Sequence, residues 1–562
     1  MTRNRPWEAA YPAALRDYVL DLSDLPLHPA GLAAEAAKAF ASDPAFTVVL
    51  PSGLKATLDF NEIDVLTDAL AAFLQHDLQL APGDVVAVQL PNSLHYPLAV
   101  FGAWKAGLIV TTVNPLYTTP EVERQLRDSG AKALIVSDLF LNASADAAAA
   151  RGVHLIVASL WDFFAPPIAT AIRTQMEKDY GDRLKPAGPH TRFIDAVAST
   201  GRAVRLIGGR DDIVLYQYTG GTTGESKAAE ISGANVLSAL RMTSDFLEGH
   251  GGAVAGGTTL TVLPLYHIFA FVLGFLMHFR AGSHNVLVPS PRPLTNLKPA
   301  FDAFPIDWMA GVDTLYAGLL AEPWFRETPP RLRFALTGGT AIRPATARGW
   351  EETVGVMIEG YGLTESTCIV SANPPTDERR IGSVGLPLPG CDVKIVDDQG
   401  VERPVGQAGE LWVRGPQIIK TYRGATDDGR AAFTDDWFRT GDIAEIDTTG
   451  HLRIVDRKKD MILVSGFNVY PNEVEDVIAA HPEVLEVAVI GVADEKTGEA
   501  VRAFVVPRGP GLTAAAVIDH CRANLAAYKA PKDIVFRDAL PKSPVGKILR
   551  ARLRNETLLE PG

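Results

Sequence analysis

The segment YQYTGGTTGESKAAE, residues 216–230, concentrates residue types that bind phosphate. Glycines let backbone N–H groups approach an anion without a clash from Cβ. Thr219, Thr222 and Thr223 add hydroxyl donors, and Lys227 adds a positive charge. The segment departs from the Walker loop GxxxxGK(S/T), because Ala228 stands where that loop has a metal-binding hydroxyl. We therefore predict a phosphate-binding loop of another kind, with an ordinary Gly/Thr turn as the alternative.

Four motifs further along the chain offer polar groups beside glycines or charges. EGYGLTES, residues 359–366, carries Thr364 and Glu365, and FRTGDIAEID, residues 438–447, carries Asp442 in a glycine turn. DRKKD, residues 456–460, offers Arg457, and LPKSPVGKILR, residues 540–550, presents Lys547 after a glycine. Each motif alone has a plain reading as a turn residue or a solvated charge. Together, in this order, they indicate one site.

The elements that must position these groups follow from alternating strand and helix patterns. Residues 85–90, 108–113 and 133–136 are predicted buried strands. A helix between the last two is predicted to have Thr119 as its N-cap and Pro120 at its first position, and to end at Gly130. Such alternation predicts an α/β protein with doubly wound parallel sheets. We expect a large N-terminal domain, residues 1–458, that includes a β subdomain over about residues 390–458. A small, mobile α+β domain, residues 459–562, is expected to follow.

Composition narrows the class of protein. A chain of 562 residues is too long for one hydrophobic core. The net charge of −13 disfavours an extended nucleic-acid surface, so no nucleic-acid partner is expected. Three separated cysteines favour neither disulfides nor zinc, and a reducing cytoplasm is the predicted compartment. The apolar run IFAFVLGFLM, residues 268–277, is too short for a transmembrane segment and is read as a buried helix.

The ordered motifs resemble those of the adenylate-forming superfamily, and in particular bacterial long-chain fatty acyl-CoA synthetases. The resemblance covers about residues 32–554 and rests on YTGGTTG, LPLYHIFAF, MILVSGFNVYPNEVEDV and VNPLYTTPEVERQLRDSGAKALIV. It implies an acid–thiol ligase that joins a medium- or long-chain fatty acid to AMP from ATP. The acyl group then passes to CoA, with AMP and pyrophosphate as the other products.

The resemblance also implies roles for residues of this chain. Mg²⁺ would be held by Glu365, and Lys547 would reach both the substrate carboxylate and the α-phosphate. Asp442 would bind the ribose hydroxyls beside Arg457. The implied catalytic residues are Lys547, Glu365, Thr222 and His267. The implied nucleotide-binding residues are Thr219, Gly220, Gly221, Thr222, Thr223, Gly224, Lys227, Gly338, Gly339, Gly360, Tyr361, Thr364, Asp442, Arg457 and Lys547.

The resemblance also implies a second role for the C-terminal domain. It would rotate about a hinge at Lys459 after adenylation, withdrawing Lys547 and bringing a strand with Ser465 and Gly466 toward the CoA channel. His267 would contact the acyl and pantetheine side, with a packed core histidine as the alternative. The implied partners are the fatty acid, ATP and CoA. A homodimer and transient contact with the inner face of a membrane are left open.

The chain departs from the family's usual pattern beside the phosphate loop. Ser226 replaces a proline, Ala228 replaces a glycine, and Ser232-Gly233 stands where Thr-His is common. Thr340 also replaces a small alanine. Ser226 removes a constraint on φ, so we expect a looser or slower phosphate loop. Two alternatives to fatty acid activation stay open. One is an aryl-CoA ligase or an enzyme that loads a carrier protein, and the other is a nucleotide- or acyl-binding protein with reduced turnover.

Overall fold

A computed structural model describes residues 5–184, 188–199, 208–219, 226–425, 427–543 and 546–558. Their strands form four sheets, two large and two small. In chain order the strands β1 to β26 are Pro44–Val49, Lys55–Asp59, Val85–Gln89, Ile109–Thr112, Ala131–Ser137, His154–Ala158, Thr191–Arg192, Ile213–Tyr218, Ala228–Ser232, Thr258–Thr261, His284–Leu287, Trp308–Gly311, Phe334–Thr337, Val356–Tyr361, Ser371–Ala372, Leu386–Pro387, Asp392–Val396, Gly409–Arg414, Phe433–Thr434, Trp437–Ile446, Leu452–Arg457, Ile462–Val464, Phe467–Val469, Val484–Asp494, Gly498–Pro507 and Asp533–Phe536.

Helices alternate with the strands through most of the chain. In chain order the α-helices α1 to α17 are Gly31–Phe40, Phe60–Ala72, His95–Lys105, Thr119–Ser129, Leu141–Arg151, Pro166–Tyr180, Phe193–Ala196, Gly233–Gly249, Met277–Arg280, Lys298–Ala303, Asp313–Ala321, Pro323–Glu327, Pro344–Thr353, Asp427–Ala431, Pro471–Ala479, Ala514–Asn524 and Arg550–Leu558. Short 3₁₀ helices are Pro6–Ala10, Ala13–Leu15, Asp138–Phe140, Gly181–Leu184, Leu294–Leu297 and Thr364–Ser366. Phe73–Asp77 and Ala270–Leu276 are π-helical.

The first large sheet has the order β7-β6-β5-β3-β4-β8-β9 and is parallel except for β9. Its inner strand β3 is buried at every position, as expected for a strand covered on both faces. Strands β8 and β9 pair in antiparallel register, with Tyr218 opposite Ala228. The glycine-rich segment connects these two strands, so the sheet holds both of its ends.

The second large sheet has the order β16-β15-β14-β13-β12-β10-β11-β1-β2. Its strands are parallel from β14 through β1, while β2, β15 and β16 run antiparallel to their neighbours. Helix α3, buried at every position, joins the two large sheets. The Tyr96 hydroxyl donates to the carbonyl of Leu265, and the Trp104 indole donates to the carbonyl of Val214.

Two smaller sheets complete the chain. Strands β17 to β21 form an antiparallel sheet, and β22 to β26 form another in which β26 pairs parallel to β25. The change from one sheet to the other falls between Arg457 and Ile462. The last sheet has apolar clusters of its own, around Val489 and around Phe504. The predicted α/β class is confirmed, while the junction at residues 458/459 stays a prediction.

Details of several elements differ from the sequence expectation. Helix α4 is capped by Thr118 rather than Thr119, because the backbone N–H of Thr118 donates to the side chain of Glu121. The sequence pattern is less regular from about Phe163 to Arg205, yet this segment contains the 15-residue helix Pro166–Tyr180. The apolar run is a buried helix, as expected, although it takes π geometry over Ala270–Leu276. Among the described helices, none combines the length and the apolar character needed to span a bilayer.

Candidate active site

Asp442 lies at the centre of a buried polar cluster where three strands meet. It pairs with Arg457 across the β20–β21 ladder, and the guanidinium Nε lies 3.1 Å from its Oδ1. Tyr361, at the end of β14, donates its hydroxyl to Asp442 Oδ2 at 2.5 Å. Burial and the Asp442 carboxylate raise the pKa of Tyr361 well above its usual value. A carboxylate offers about four lone-pair sites, so Asp442 can still accept further hydrogen bonds.

Three glycines, Gly338, Gly339 and Gly360, form a glycine wall at the ends of β13 and β14, next to Tyr361. A Cβ on Gly338 would lie 3.2 Å from the carbonyl oxygen of Gly360 and 3.6 Å from the Phe269 ring. Gly339 has a φ of +76°, a conformation that glycine adopts without strain. A Cβ on Gly360 would lie 3.3 Å from the carbonyl oxygen of Ser371. The backbones at Gly338 and Gly360 therefore pack closely, and an added side chain at either position would force its neighbours to move.

Glu365 follows in a tight loop after β14. The loop closes so sharply that a Cβ on Gly362 would lie 1.6 Å from the carbonyl oxygen of Cys368. Thr364 and Glu365 form a 3₁₀ turn and stay partly exposed. The Tyr422 hydroxyl donates to Glu365 Oε1 at 2.6 Å. Burial raises the pKa of Glu365, and the hydrogen bond from Tyr422 opposes that rise.

Tyr422 also lies beside the phosphate-loop lysine, which sequence reasoning did not predict. The Lys227 ammonium sits 5.9 Å from the centroid of the Tyr422 ring. One aromatic side chain therefore contacts both the carboxylate of Glu365 and the cation of Lys227. The only sequence signal is a tyrosine in IIKTYRG, which carries no motif of its own.

The described ends of the phosphate loop are tied together. The backbone N–H of Thr219 donates to the carbonyl of Lys227 at 2.9 Å, and the Ser226 hydroxyl donates to the carbonyl of Thr219. Ser226, expected to loosen the loop, therefore adds a bond across its neck. The residues at its centre lie outside the described residues: Gly220, Gly221, Thr222, Thr223 and Gly224.

The Ser232-Gly233 departure also has a structural reason. Ser232 caps helix α8, since its hydroxyl accepts the Asn235 N–H while the Asn235 side chain accepts the Ser232 N–H. A Cβ on Gly233 would lie 3.0 Å from Pro29 and 3.1 Å from the carbonyl oxygen of Arg210. The Asn235 side chain also donates to two carbonyls of the segment that leads to Tyr422.

Lys547 reaches the cluster from the C-terminal segment. Its loop is a closed turn, in which the N–H of Lys547 donates to the Ser543 hydroxyl and the N–H of Gly546 to the Ser543 carbonyl. Burial lowers the pKa of Lys547 to about 8, with further lowering by Arg457 and an opposing effect of Asp442. Burial lowers the pKa of His267 to about 4, and the charge of Lys547 adds to the effect. Lys547 is therefore close enough for its charge to act on His267 and for the charges of Arg457 and Asp442 to act on it.

The predicted hinge residue Lys459 lies between the two small sheets, and Ser465 and Gly466 lie within the second of them. Lys459 occupies a turn after β21, and burial followed by the charge of Arg457 lowers its pKa. The expectation of a strand at Ser465 and Gly466 is wrong. With φ of +52° and +85°, they form the exposed two-residue turn between β22 and β23. Right-handed strand twist favours such a turn, and Gly at its second position is typical.

The doubly wound sheets, the Asp442 cluster and Lys547 fit an adenylate-forming enzyme, and comparisons with known proteins identify the family. Residues 33–423 match the family described as AMP-binding enzyme, and residues 473–547 match its C-terminal domain. The chain belongs to the AMP-binding enzyme family, as predicted. Within it, the chain is 41% identical over 533 residues to a long-chain fatty acid–CoA ligase of Yersinia pestis, covering 93% of each chain.

Two solved structures share this architecture. The ATP-bound MatB of Rhodopseudomonas palustris is 28% identical, with a TM-score of 0.80 over 94% of this chain and 98% of that one. The anthranilate CoA ligase AuaEII, in complex with anthranoyl-AMP, is 27% identical, with a TM-score of 0.82 over 96% of this chain and 99% of that one. Both the family prediction and the fold prediction are thus confirmed.

Proposed function

We propose that the protein activates a medium- or long-chain fatty acid in two steps. The carboxylate attacks the α-phosphorus of ATP, giving acyl-adenylate and pyrophosphate, and the thiol of CoA then attacks the acyl carbon and releases AMP. The observation that carries the proposal is the Asp442–Arg457–Tyr361 cluster, whose charged members Asp442 and Arg457 act on the buried Lys547. The high identity to a fatty acid–CoA ligase supports the class of acid.

The nucleotide is assigned to the glycine-walled cluster. Adenine stacks on Tyr361 beside Gly338, Gly339 and Gly360, and at Gly339 nothing lies within 4 Å of the position of an added Cβ. The ribose hydroxyls donate to Asp442, which keeps lone pairs free beyond its bonds to Tyr361 and Arg457. Thr364 contacts the α-phosphate. The loop from Thr219 to Lys227 holds the β- and γ-phosphates, and its tied neck limits the entropy lost on binding.

Glu365 is the proposed ligand of Mg²⁺. The described residues contain no group of three metal-ligating side chains, so a resident ion would need most of its ligands from elsewhere. Mg²⁺ fits this donor set, because it is commonly held by one or two carboxylates together with substrate phosphates and water. The ion would supply neutralisation of phosphate charge. The Tyr422 hydroxyl fixes Oε1 of Glu365 and leaves Oε2 for the metal.

Lys547 acts in the first step as a positive charge between the carboxylate and the α-phosphate. Positioning and charge neutralisation account for most catalysis of phosphoryl chemistry. His267 stays neutral because its pKa is about 4, so it lines the acyl side without adding charge. In the second step the C-terminal domain turns about Lys459. That motion withdraws Lys547 and moves the Ser465-Gly466 turn toward the CoA path.

A pyrophosphate-release screen tests the proposal. Acids from short to long chain, together with aryl acids, are each supplied with ATP and Mg²⁺, with and without CoA. We expect release with fatty acids and acyl-CoA only when CoA is present, and Lys547→Ala should abolish the release. Preference for an aryl acid would favour an aryl-CoA ligase, and adenylation without acyl-CoA a carrier-loading enzyme. ATP binding without turnover on any acid would contradict the proposal.

A cytoplasmic location, a homodimer and transient membrane contact stay predictions beside this proposal. Sedimentation of the purified protein, with and without vesicles of anionic lipid, would test the last two together.

A further inference from the structure

The Lys547 loop rests on one spot of the large domain. A Cβ on Gly546 would lie 2.9 Å from Oγ1 of Thr314 and 3.5 Å from a methyl group of Val312. A separation below 3.0 Å is closer than side-chain carbons approach other atoms, so the Gly546 backbone packs against the side chains of Thr314 and Val312 only because residue 546 is a glycine. Its φ of +81° independently favours glycine.

Gly546 and Thr314 pack against each other by van der Waals contact, without a hydrogen bond from the Thr314 hydroxyl. Oγ1 of Thr314 is buried, and among the described residues no group forms a hydrogen bond with it. A buried hydroxyl without a partner costs free energy, so its place here is not explained by local stability. The turn that carries Gly546 is closed by bonds between Ser543 and Lys547. The bonds of this turn tie Gly546 and Lys547 to the same residue, Ser543.

The receiving surface is fixed to the wall of the nucleotide site. Thr314 lies in the first turn of α11, directly after Asp313. Asp313 accepts hydrogen bonds from the backbone N–H and the Nε of Arg343, at 3.1 and 2.7 Å. Arg343 ends the segment that begins with Gly338 and Gly339. A displacement of Gly546 relative to Thr314 is thus a displacement of Lys547 relative to the glycine wall.

We infer that Thr314 and Val312 form a seat for Gly546 that sets the depth at which Lys547 enters the site during adenylation. Gly546 and Thr314 are positioning residues that act through Lys547. The inference rests on the proposed function, since only a two-step enzyme with a turning domain uses the seat in one step and leaves it in the other. Thioester formation from a preformed acyl-adenylate does not need the seat.

A double-mutant cycle tests the seat. Gly546→Ala should lower acid-dependent ATP–pyrophosphate exchange by about tenfold, since overpacking commonly costs 1–3 kcal/mol. It should leave the formation of acyl-CoA from supplied acyl-adenylate and CoA within about twofold of wild type. Thr314→Ala removes the atom that the new methyl meets. The double variant Gly546→Ala/Thr314→Ala should therefore regain about fivefold of the lost exchange.

A matched control separates contact from backbone strain. Gly406 has a φ of +84°, and nothing lies within 4 Å of the position of an added Cβ. Gly406→Ala should leave both partial reactions near wild type. The seat is overturned if the double variant regains nothing, since the loss would then come from strain at residue 546. It is also overturned if both partial reactions fall equally. A wild-type protein without any acid-dependent exchange would overturn the proposed function and the seat together.

Discussion

The lowered pKa of Lys547 predicts how adenylation depends on pH. Burial and the charge of Arg457 bring this pKa to about 8 in the absence of substrates. The proposed role requires the ammonium form. That form is fully present well below pH 8 and is lost as the pH rises through about 8. At about pH 9 roughly one tenth of the lysine stays protonated, so kcat/KM for ATP should fall about tenfold between about pH 7 and 9.

Bound substrates should shift the pH at which the rate falls, which is the alkaline limb of the pH profile. ATP and the fatty acid bring negative charge next to Lys547, and a nearby opposite charge favours the protonated form. The alkaline limb of kcat, which reports the complex, should therefore lie at higher pH than that of kcat/KM, which reports the free enzyme. Acid-dependent ATP–pyrophosphate exchange at limiting and at saturating ATP, with constant free Mg²⁺, measures both limbs. His267 does not contribute, because its pKa of about 4 leaves it neutral throughout.

The variant Lys547→Arg identifies the titrating group. Arginine keeps its charge across this range, although its planar, rigid head should lower the rate. Its kcat/KM should therefore be flat from about pH 7 to 9.5. The reasoning is refuted if the wild type is itself flat over that range, or if Lys547→Arg keeps the same alkaline limb.

Three further substitutions probe the other parts of the site. Tyr422→Phe removes the hydroxyl that bonds Glu365 but keeps the ring beside Lys227. The Mg²⁺ concentration needed for half-maximal ATP binding should therefore rise by about tenfold or more, as measured by Mg²⁺ titration in calorimetry and in the exchange assay. Asp442→Ala should raise KM for ATP by about tenfold or more, read from exchange rates across ATP concentrations, because it removes a charged acceptor. Lys459→Pro should spare exchange and slow acyl-CoA formation, and equal losses in both would contradict a hinge at this position.

Much of the site could be predicted because short motifs carry it. Asp442 and Arg457 are separated by a short antiparallel hairpin, so strand pairing alone brings them opposite each other. Gly338 and Gly360 end neighbouring parallel strands, β13 and β14, and the carboxyl ends of such strands meet at one edge. Local sequence determines both arrangements once the strands are recognised.

Contacts between distant segments could not be predicted in the same way. Tyr422 meets Glu365 and Lys227 only because its segment crosses β9, where Ala229 pairs with Tyr422. Thr314 meets Gly546 through the docking of separate domains. No periodicity or spacing records such approaches. The cap at Thr118 and the turn at Ser465 are different, since the first depends on the bond from Thr118 to Glu121 and the second on positive φ at Ser465 and Gly466.

The contacts around the hinge bear on the cost of the proposed rotation. Arg550 pairs with Glu475 at 2.6 Å and with Asp460 at 3.5 Å, and both acids follow Lys459 in the chain. Its distance to Asp456, which precedes Lys459, is 3.9 Å. A turn about Lys459 would therefore carry Arg550 away with its two nearer partners and leave no buried guanidinium unpaired, which would otherwise be very costly.

Among the described residues, Asn472 makes two hydrogen bonds to residues before Lys459 that would also break in such a turn. Its backbone N–H donates to Asp456 Oδ2 at 2.8 Å, and its side chain donates to the carbonyl of Val455 at 3.1 Å. Each is an ordinary hydrogen bond worth about 1 kcal/mol net, or somewhat more where a carboxylate accepts. The two bonds together therefore contribute a free energy comparable to that which one ligand contact can supply. The orientation of the C-terminal domain would thus be governed by what occupies the site, with Lys547 bound to the carboxylate and α-phosphate in the first step and released once pyrophosphate has left.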